Sequence, residues 1–164
     1  MPAPLIGVMG PGGLAPDSIC VTAYELGYQI AQQGWILLTG GRNVGVMDAA
    51  SRGAFDAGGL TVGILPDADA GALSDSIIIP IFTDMGSGRN NINVLSSQVV
   101  VACGLGAGTA AEIALAIKAQ KPVVLMRMDS LTVSFFQRLG PVTVAASVAI
   151  AIDQIKSCLA QANE

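Results

Sequence analysis

Three glycine-rich turns carry the chemistry that this sequence can do. They are Gly10-Pro11-Gly12-Gly13, the stretch from Gly40 and Gly41 through Arg42 to Gly45, and the run Gly104, Leu105, Gly106, Ala107, Gly108. Each follows an apolar segment and precedes one with helical periodicity. Glycine lets backbone N–H groups come close to a ligand, and the first turn of a helix presents unpaired N–H groups with partial positive charge. With only 8 Lys and Arg residues in the chain, an anion bound there is held mainly by backbone amides. Together the turns predict a phosphate-bearing ligand, although a tight strand-to-helix turn asks for glycine too. None is a nucleotide fingerprint. The run Gly104 to Gly108 lacks G-x-G-x-x-G spacing, and the lysine of G-x-x-x-x-G-K-[ST] is absent, which argues against NAD dehydrogenases and P-loop NTPases.

Polar side chains near these turns complete the candidate site. Arg89 is a candidate counter-charge for a phosphate; otherwise it is a solvated arginine at a helix start, where the helix dipole disfavours a cation. Arg42 allows the same two readings. Asn90 and Asn91 suit either a polar ring edge or a helix cap. Glu112 can accept ligand hydroxyls or act as a general base. Alternatively Thr109-x-x-Glu112 is a capping box, with the carboxylate returned to a backbone N–H. The sequence leaves these alternatives open. Asp48 and Arg52, spaced i, i+4, read as a surface pair. Asp67, Asp69 and Asp75 lack the Gly and Glu of a calcium loop and read as solvated. Cys103 has no histidine to activate it and reads as buried. Met126 and Met128 read as core and rim.

Composition removes whole classes of mechanism. The 164 residues include no His, so Ser-His, Cys-His and His-metal schemes are out. Cys20, Cys103 and Cys158 are far apart and suggest neither a zinc site nor a disulfide framework, which points to the reducing cytoplasm. No protein-held metal is expected. A net charge of -4 without a basic run argues against nucleic acid as the main partner. The start of the chain has no basic region ahead of an apolar one, so no signal peptide is expected. The longest apolar stretch, residues 99–111, is too short and glycine-rich to span a bilayer. Charged residues make up 12% of the chain against 52% hydrophobic. So few charges barely cover a monomer, and burial of apolar helix faces in a homo-oligomer, a dimer or tetramer, is expected.

The elements that position these residues alternate. Apolar runs at residues 5–9, 36–39, 60–65, 77–81, 98–102 and 123–126 read as strands, with a weak edge strand at 142–144. Helices are expected at 17–33 (with Asp17 as N-cap and Gly34 as stop), 45–57, 90–97, 109–119, 131–139 and 147–162. The segment 113–117 is apolar all round, again suggesting an interface. Continuously apolar strands imply a sheet covered on both faces. The chain therefore reads as a single α/β domain over residues 1–164, with a doubly wound parallel sheet.

Three segments together resemble a known family. Gly40-Gly41-Arg42-Asn43-Val44-Gly45-Val46-Met47 resembles the G-G-G-x-x-G-[LV]-M motif of the Lonely-guy proteins, often labelled lysine decarboxylase-like. Residues Gly104 to Glu112 resemble their P-G-G-x-G-T-x-x-E motif, and Gly88-Arg89-Asn90 occupies the place of their arginine-bearing segment. The resemblance covers about residues 5 to 127. It implies a Rossmann-like fold and cleavage of nucleoside monophosphates at the N-glycosidic bond, releasing free base and ribose 5-phosphate. Arg89 and Glu112 match the catalytic pair of that family; Gly106, Gly108 and Thr109 match its phosphate loop. The chain departs from the motifs at Gly104, Leu105 and Arg42.

Those departures resemble the molybdenum cofactor carrier branch of the family, whose loop reads G-x-G-x-G-T-A-A-E. This resemblance implies binding, protection and delivery of molybdenum cofactor, a phosphorylated molybdopterin, without turnover. Its dithiolene already holds the metal. Molybdoenzymes or cofactor-biosynthesis proteins would be the partners. The expected cofactor-binding set is Gly10, Gly12, Gly40, Gly41, Arg42, Gly45, Arg89, Asn90, Gly104, Leu105, Gly106, Ala107, Gly108, Thr109 and Glu112. Within it Gly106 to Thr109 meet the phosphate and Arg89 supplies the counter-charge.

Overall fold

The computed structural model describes residues 2–162; the remainder of the expected 1–164 domain, residues 1, 163 and 164, lies outside the described residues. Seven strands form one sheet: β1 Leu5–Met9, β2 Ile36–Thr39, β3 Thr61–Leu65, β4 Ile79–Phe82, β5 Val99–Cys103, β6 Val123–Met126 and β7 Thr143–Val144. Their order is β4-β3-β2-β1-β5-β6-β7, and every pairing is parallel. Among the described residues the α-helices are α1 Asp17–Gln32, α2 Gly45–Asp56, α3 Arg89–Ser96, α4 Ala107–Lys118 and α5 Ser130–Leu139, which lie between strands, and α6 Val148–Gln161, which follows β7.

Two cores explain the continuous apolar strands. Ala23, Leu26 and Ile30 of α1, Ala50 and Ala54 of α2, and Ile152 and Ile155 of α6 cover one face of the sheet. Val94 of α3, Ile113 and Ala116 of α4, and Phe136 of α5 cover the other. Every residue of β5 and β6 is buried. This is the doubly wound α/β arrangement. β4 is an exception, since all four of its residues are exposed at the sheet edge.

Several boundaries differ from the sequence reading. α4 starts at Ala107 rather than Thr109, with Gly106 in the cap position and its carbonyl accepting from Ala110 N–H at 2.8 Å. Thr109 is therefore inside the first turn, and there is no capping box. α1 is capped by Pro16, whose carbonyl receives the Ile19 and Cys20 amides; Asp17 begins the helix instead of capping it. β4 begins two residues later than expected because Thr61 intervenes. Its hydroxyl donates to Ser76 O at 2.6 Å and accepts the Ile78 amide at 2.9 Å. The Asp48–Arg52 pair does not form either. Asp48 accepts from Ser74 Oγ at 2.7 Å, and Arg52 lies 6.0 Å from the centre of the Tyr24 ring.

The sheet order fixes where a ligand site can be. From β1 the chain proceeds outward to β2 on one side, while β5 flanks β1 on the other. α1 and α4 leave β1 and β5 on opposite faces. Their divergence opens a crevice beyond the carboxyl ends of these strands, at the topological switch point.

Candidate functional site

The walls of that crevice are the glycine turns, and they interlock. A Cβ on Gly10 would press on Cys103 O, 2.5 Å away, and on the Val46 side chain. Gly45 has φ +55° and lies against the Pro11 and Gly12 carbonyls, while Val46 N–H donates to Pro11 O at 3.0 Å. Each turn thereby fixes its neighbour. The result is a cleft of about 360 Å³.

Eleven of the expected residues line this cleft: Gly10, Gly12, Gly40, Arg42, Arg89, Asn90, Gly106, Ala107, Gly108, Thr109 and Glu112. Gly41, Gly45, Gly104 and Leu105 are not among its lining. Gly41 packs against Leu65 and Gly63 and Gly104 against Ile19, while Leu105 is exposed. The first three are hinges of the turns, all at positive φ. The sequence reading missed Val8, Met9, Pro11, Gly13, Leu14 and Met47 among the lining residues. It also missed Asn93, which follows Arg89 by four positions on α3 and so shares its face.

At the cleft floor, α4 begins with the exposed Ala107 and Gly108. As first-turn residues, Ala107, Gly108 and Thr109 have N–H groups that no carbonyl of the same helix can reach. Beside them lie Arg89, Asn93, Thr109 and Glu112, each no more than 8% exposed. Asn93 Nδ2 donates to Glu112 Oε1 at 3.2 Å. Arg89 Nε, Asn93 Oδ1 and Thr109 Oγ1 are buried without a hydrogen-bond partner. Buried polar atoms are rarely left unmatched. Arg89 Nε and Thr109 Oγ1 are donors in residues that line the cleft where α4 begins, which suits an oxyanion ligand, whereas Asn93 Oδ1 can only accept.

The electrostatics follow from burial. Desolvation lowers the Arg89 pKa; Glu112 counteracts this and Arg42 adds to it. Arginine nevertheless stays charged. Burial pushes the Glu112 carboxyl from an ordinary 4.5 up to about 7, against the pull of the Asn93 hydrogen bond and of Arg89. The native state thus keeps a proton that the unfolded chain loses. This group's contribution to stability is full below pH 4.5 and is lost as pH rises through about 7. Burial also pushes the Cys103 thiol up to about 12, which leaves it inert as a nucleophile. Among the described residues, no three His, Cys, Asp or Glu side chains gather where they could hold a metal ion, and no helix is long and apolar enough to cross a membrane.

Comparison with known proteins places this arrangement. The family model described as the SLOG cluster4 family matches residues 3–152. The chain belongs to the SLOG cluster4 family. Similar solved structures include the molybdenum cofactor binding protein of the phototrophic bacterium Rippkaea orientalis. It is 53% identical, with a TM-score of 0.95 over 97% of this chain and 99% of its own. The molybdenum cofactor carrier protein of Chlamydomonas reinhardtii is 54% identical, with a TM-score of 0.93 and the same coverage. An uncharacterized protein of Archaeoglobus fulgidus is 42% identical over 122 residues, 74% of this chain and 79% of that protein. The resemblance read from the motifs is therefore borne out at the level of SLOG cluster4 membership and of likeness to carrier structures.

Proposed function

We propose that this chain binds molybdenum cofactor by its phosphate and holds it for delivery without turnover. The observation that carries this reading is that Arg89 and Thr109, each with an unmatched buried donor, line the cleft at the free amides of α4. It is supported by 53% and 54% identity to proteins described as binding or carrying that cofactor. In this reading Gly106, Ala107, Gly108 and Thr109 cradle the phosphate and Arg89 balances its charge, with Arg42 and Asn90 nearer the mouth. The cargo brings the metal already bound to its dithiolene, so the protein needs no histidine. The three free cysteines fit the reducing cytoplasm, and a molybdoenzyme or a cofactor-biosynthesis protein would be the partner in transfer.

The test mixes purified protein with molybdenum cofactor, desalts it, and oxidises the denatured sample to fluorescent pterin. A parallel incubation with adenosine monophosphate looks for ribose 5-phosphate. Stoichiometric pterin with no ribose 5-phosphate is the expected result. Released base with no retained pterin would replace the carrier by a phosphoribohydrolase using Arg89 and Glu112.

We also infer self-association through β4. Ile79, Ile81 and Phe82 are each more than 40% exposed, and Met85 follows at 52%. An uncovered apolar edge of this kind is a liability in a monomer. Light scattering should give a mass above 16.6 kDa for the wild type and a lower one for Ile81→Lys. A monomeric wild type would refute the assignment.

A further inference from the structure

A carboxylate has no evident place beside an oxyanion cradle, yet Glu112 lines the same cleft as the free amides of α4. It is only 6% exposed and is not in ion-pair contact with Arg89. Its one hydrogen bond comes from the neutral Asn93. The groups facing it are few. α3 offers Arg89, Asn90 and Asn93, and the turn after β2 brings Arg42 to the same cleft, where it acts on Arg89. The turn after β1, Gly10 to Leu14, carries no ionisable side chain, and α4 adds only Thr109 in this cleft. Asp67 acts on Arg89 from the turn after β3. An ionised Glu112 would cancel Arg89 and repel a phosphate; a neutral one would add a donor to the cradle.

We propose that Glu112 takes up a proton when the ligand binds and holds the phosphate as a neutral carboxylic acid, with Asn93 positioning it. This inference rests on the reading of the cleft as a phosphate site. Asn93 occupies Oε1, so Oε2 carries the proton. The balance is simple: ionised protein, one proton from solvent and a phosphate dianion give a complex in which Arg89 faces the dianion and Glu112 is uncharged. The burial that already raises the carboxyl to about 7 makes the uptake modest in cost near neutrality. A dianion alongside raises it further. The same step accounts for holding without turnover, because a protonated Glu112 is a hydrogen-bond donor and no general base.

The experiment titrates the full-length protein with adenosine monophosphate by calorimetry, in two buffers of different ionisation enthalpy. The phosphate monoester has a second pKa of about 6 and keeps its charge between pH 7.5 and 8.5. Across that unit, binding through the protonated form of a group titrating at about 7 weakens about eightfold. Close to one proton is taken up per ligand at pH 8. Glu112→Gln should remove both the uptake and the pH dependence, and Asp153→Asn on α6 should keep them. Difference infrared spectra of the wild type should show a protonated-carboxyl stretch growing on binding, a readout that does not depend on the variant folding. Binding with no proton uptake, or uptake that persists in Glu112→Gln, overturns the proposal and leaves the phosphate site standing. Absence of adenosine monophosphate binding at either pH removes the phosphate site itself, and this inference with it.

Discussion

Replacing Arg89 by Met will weaken ligand retention about 100-fold while leaving the protein as stable as before or more so. Hydrogen bonds to charged groups are worth about 1.5–3 kcal/mol each, and about 2.7 kcal/mol corresponds to 100-fold in affinity. One lost bidentate contact to phosphate is enough. The stability side follows from the uncombined protein. Arg89 is 8% exposed with Nε unmatched. A buried cation without a close partner costs more than it returns, and an apolar side chain of similar length is neutral or stabilising. Gly40 helps to hold the arginine in place, since a Cβ there would overlap its guanidinium. Retained pterin and the thermal midpoint, measured on the same sample, check both halves. Undiminished retention would strip Arg89 of its role as counter-charge. A midpoint lowered by many degrees would make it a structural residue. Arg89→Lys should recover little, because an ammonium does not reproduce the planar fork.

Burial decides which parts of the molecule were legible in the sequence. β2, β5 and β6 were readable because burial on both faces demands unbroken apolar residues, and no other element of this chain imitates Val99–Val101. The cleft was readable through its glycines, since few other residues fit where Gly10 meets Cys103 O or where Gly45 takes a positive φ. The start of α4 was not. Gly108 has low helix propensity, so the sequence places it in a loop. In the structure it occupies a first-turn position, where the exposed N–H is the useful feature. This two-residue difference converted Thr109 and Glu112 from an apparent capping box into members of a buried cluster. Asn93 escaped notice because a polar residue on a short helix normally faces water. Its complete burial depends on α4 packing against α3, a tertiary fact that no local pattern contains. The same holds for Asp48, whose neighbour in sequence, Arg52, lost to Ser74 from a loop 26 positions away.

Gly53→Ala should destabilise the protein by about 3 kcal/mol or more, although alanine is the better helix former by about 1 kcal/mol. The reason lies in the contact of α1 with α2. A Cβ on Gly53 would fall inside the Tyr24 carbonyl oxygen, and one on Gly27 would overlap the Ala50 carbonyl. The two helices thus meet backbone to backbone through reciprocal glycines, and neither obstacle is a side chain that can rotate away. Relief requires the helices to separate. That opens the core around Ala23, Leu26, Ala50 and Ala54, all 0% exposed, where lost contacts are expensive. For a domain of this size the change lowers the thermal midpoint by about 6–12 °C. The damage should also reach the cleft, because α2 begins at the turn in which Val46 N–H holds Pro11 O. Urea unfolding of Gly53→Ala beside the wild type measures the stability loss, and pterin retention on the folded fraction measures the transmission. A loss under about 1 kcal/mol would mean that the helices can part without cost, and that the close packing of α1 on α2 does not hold the glycine turns in place.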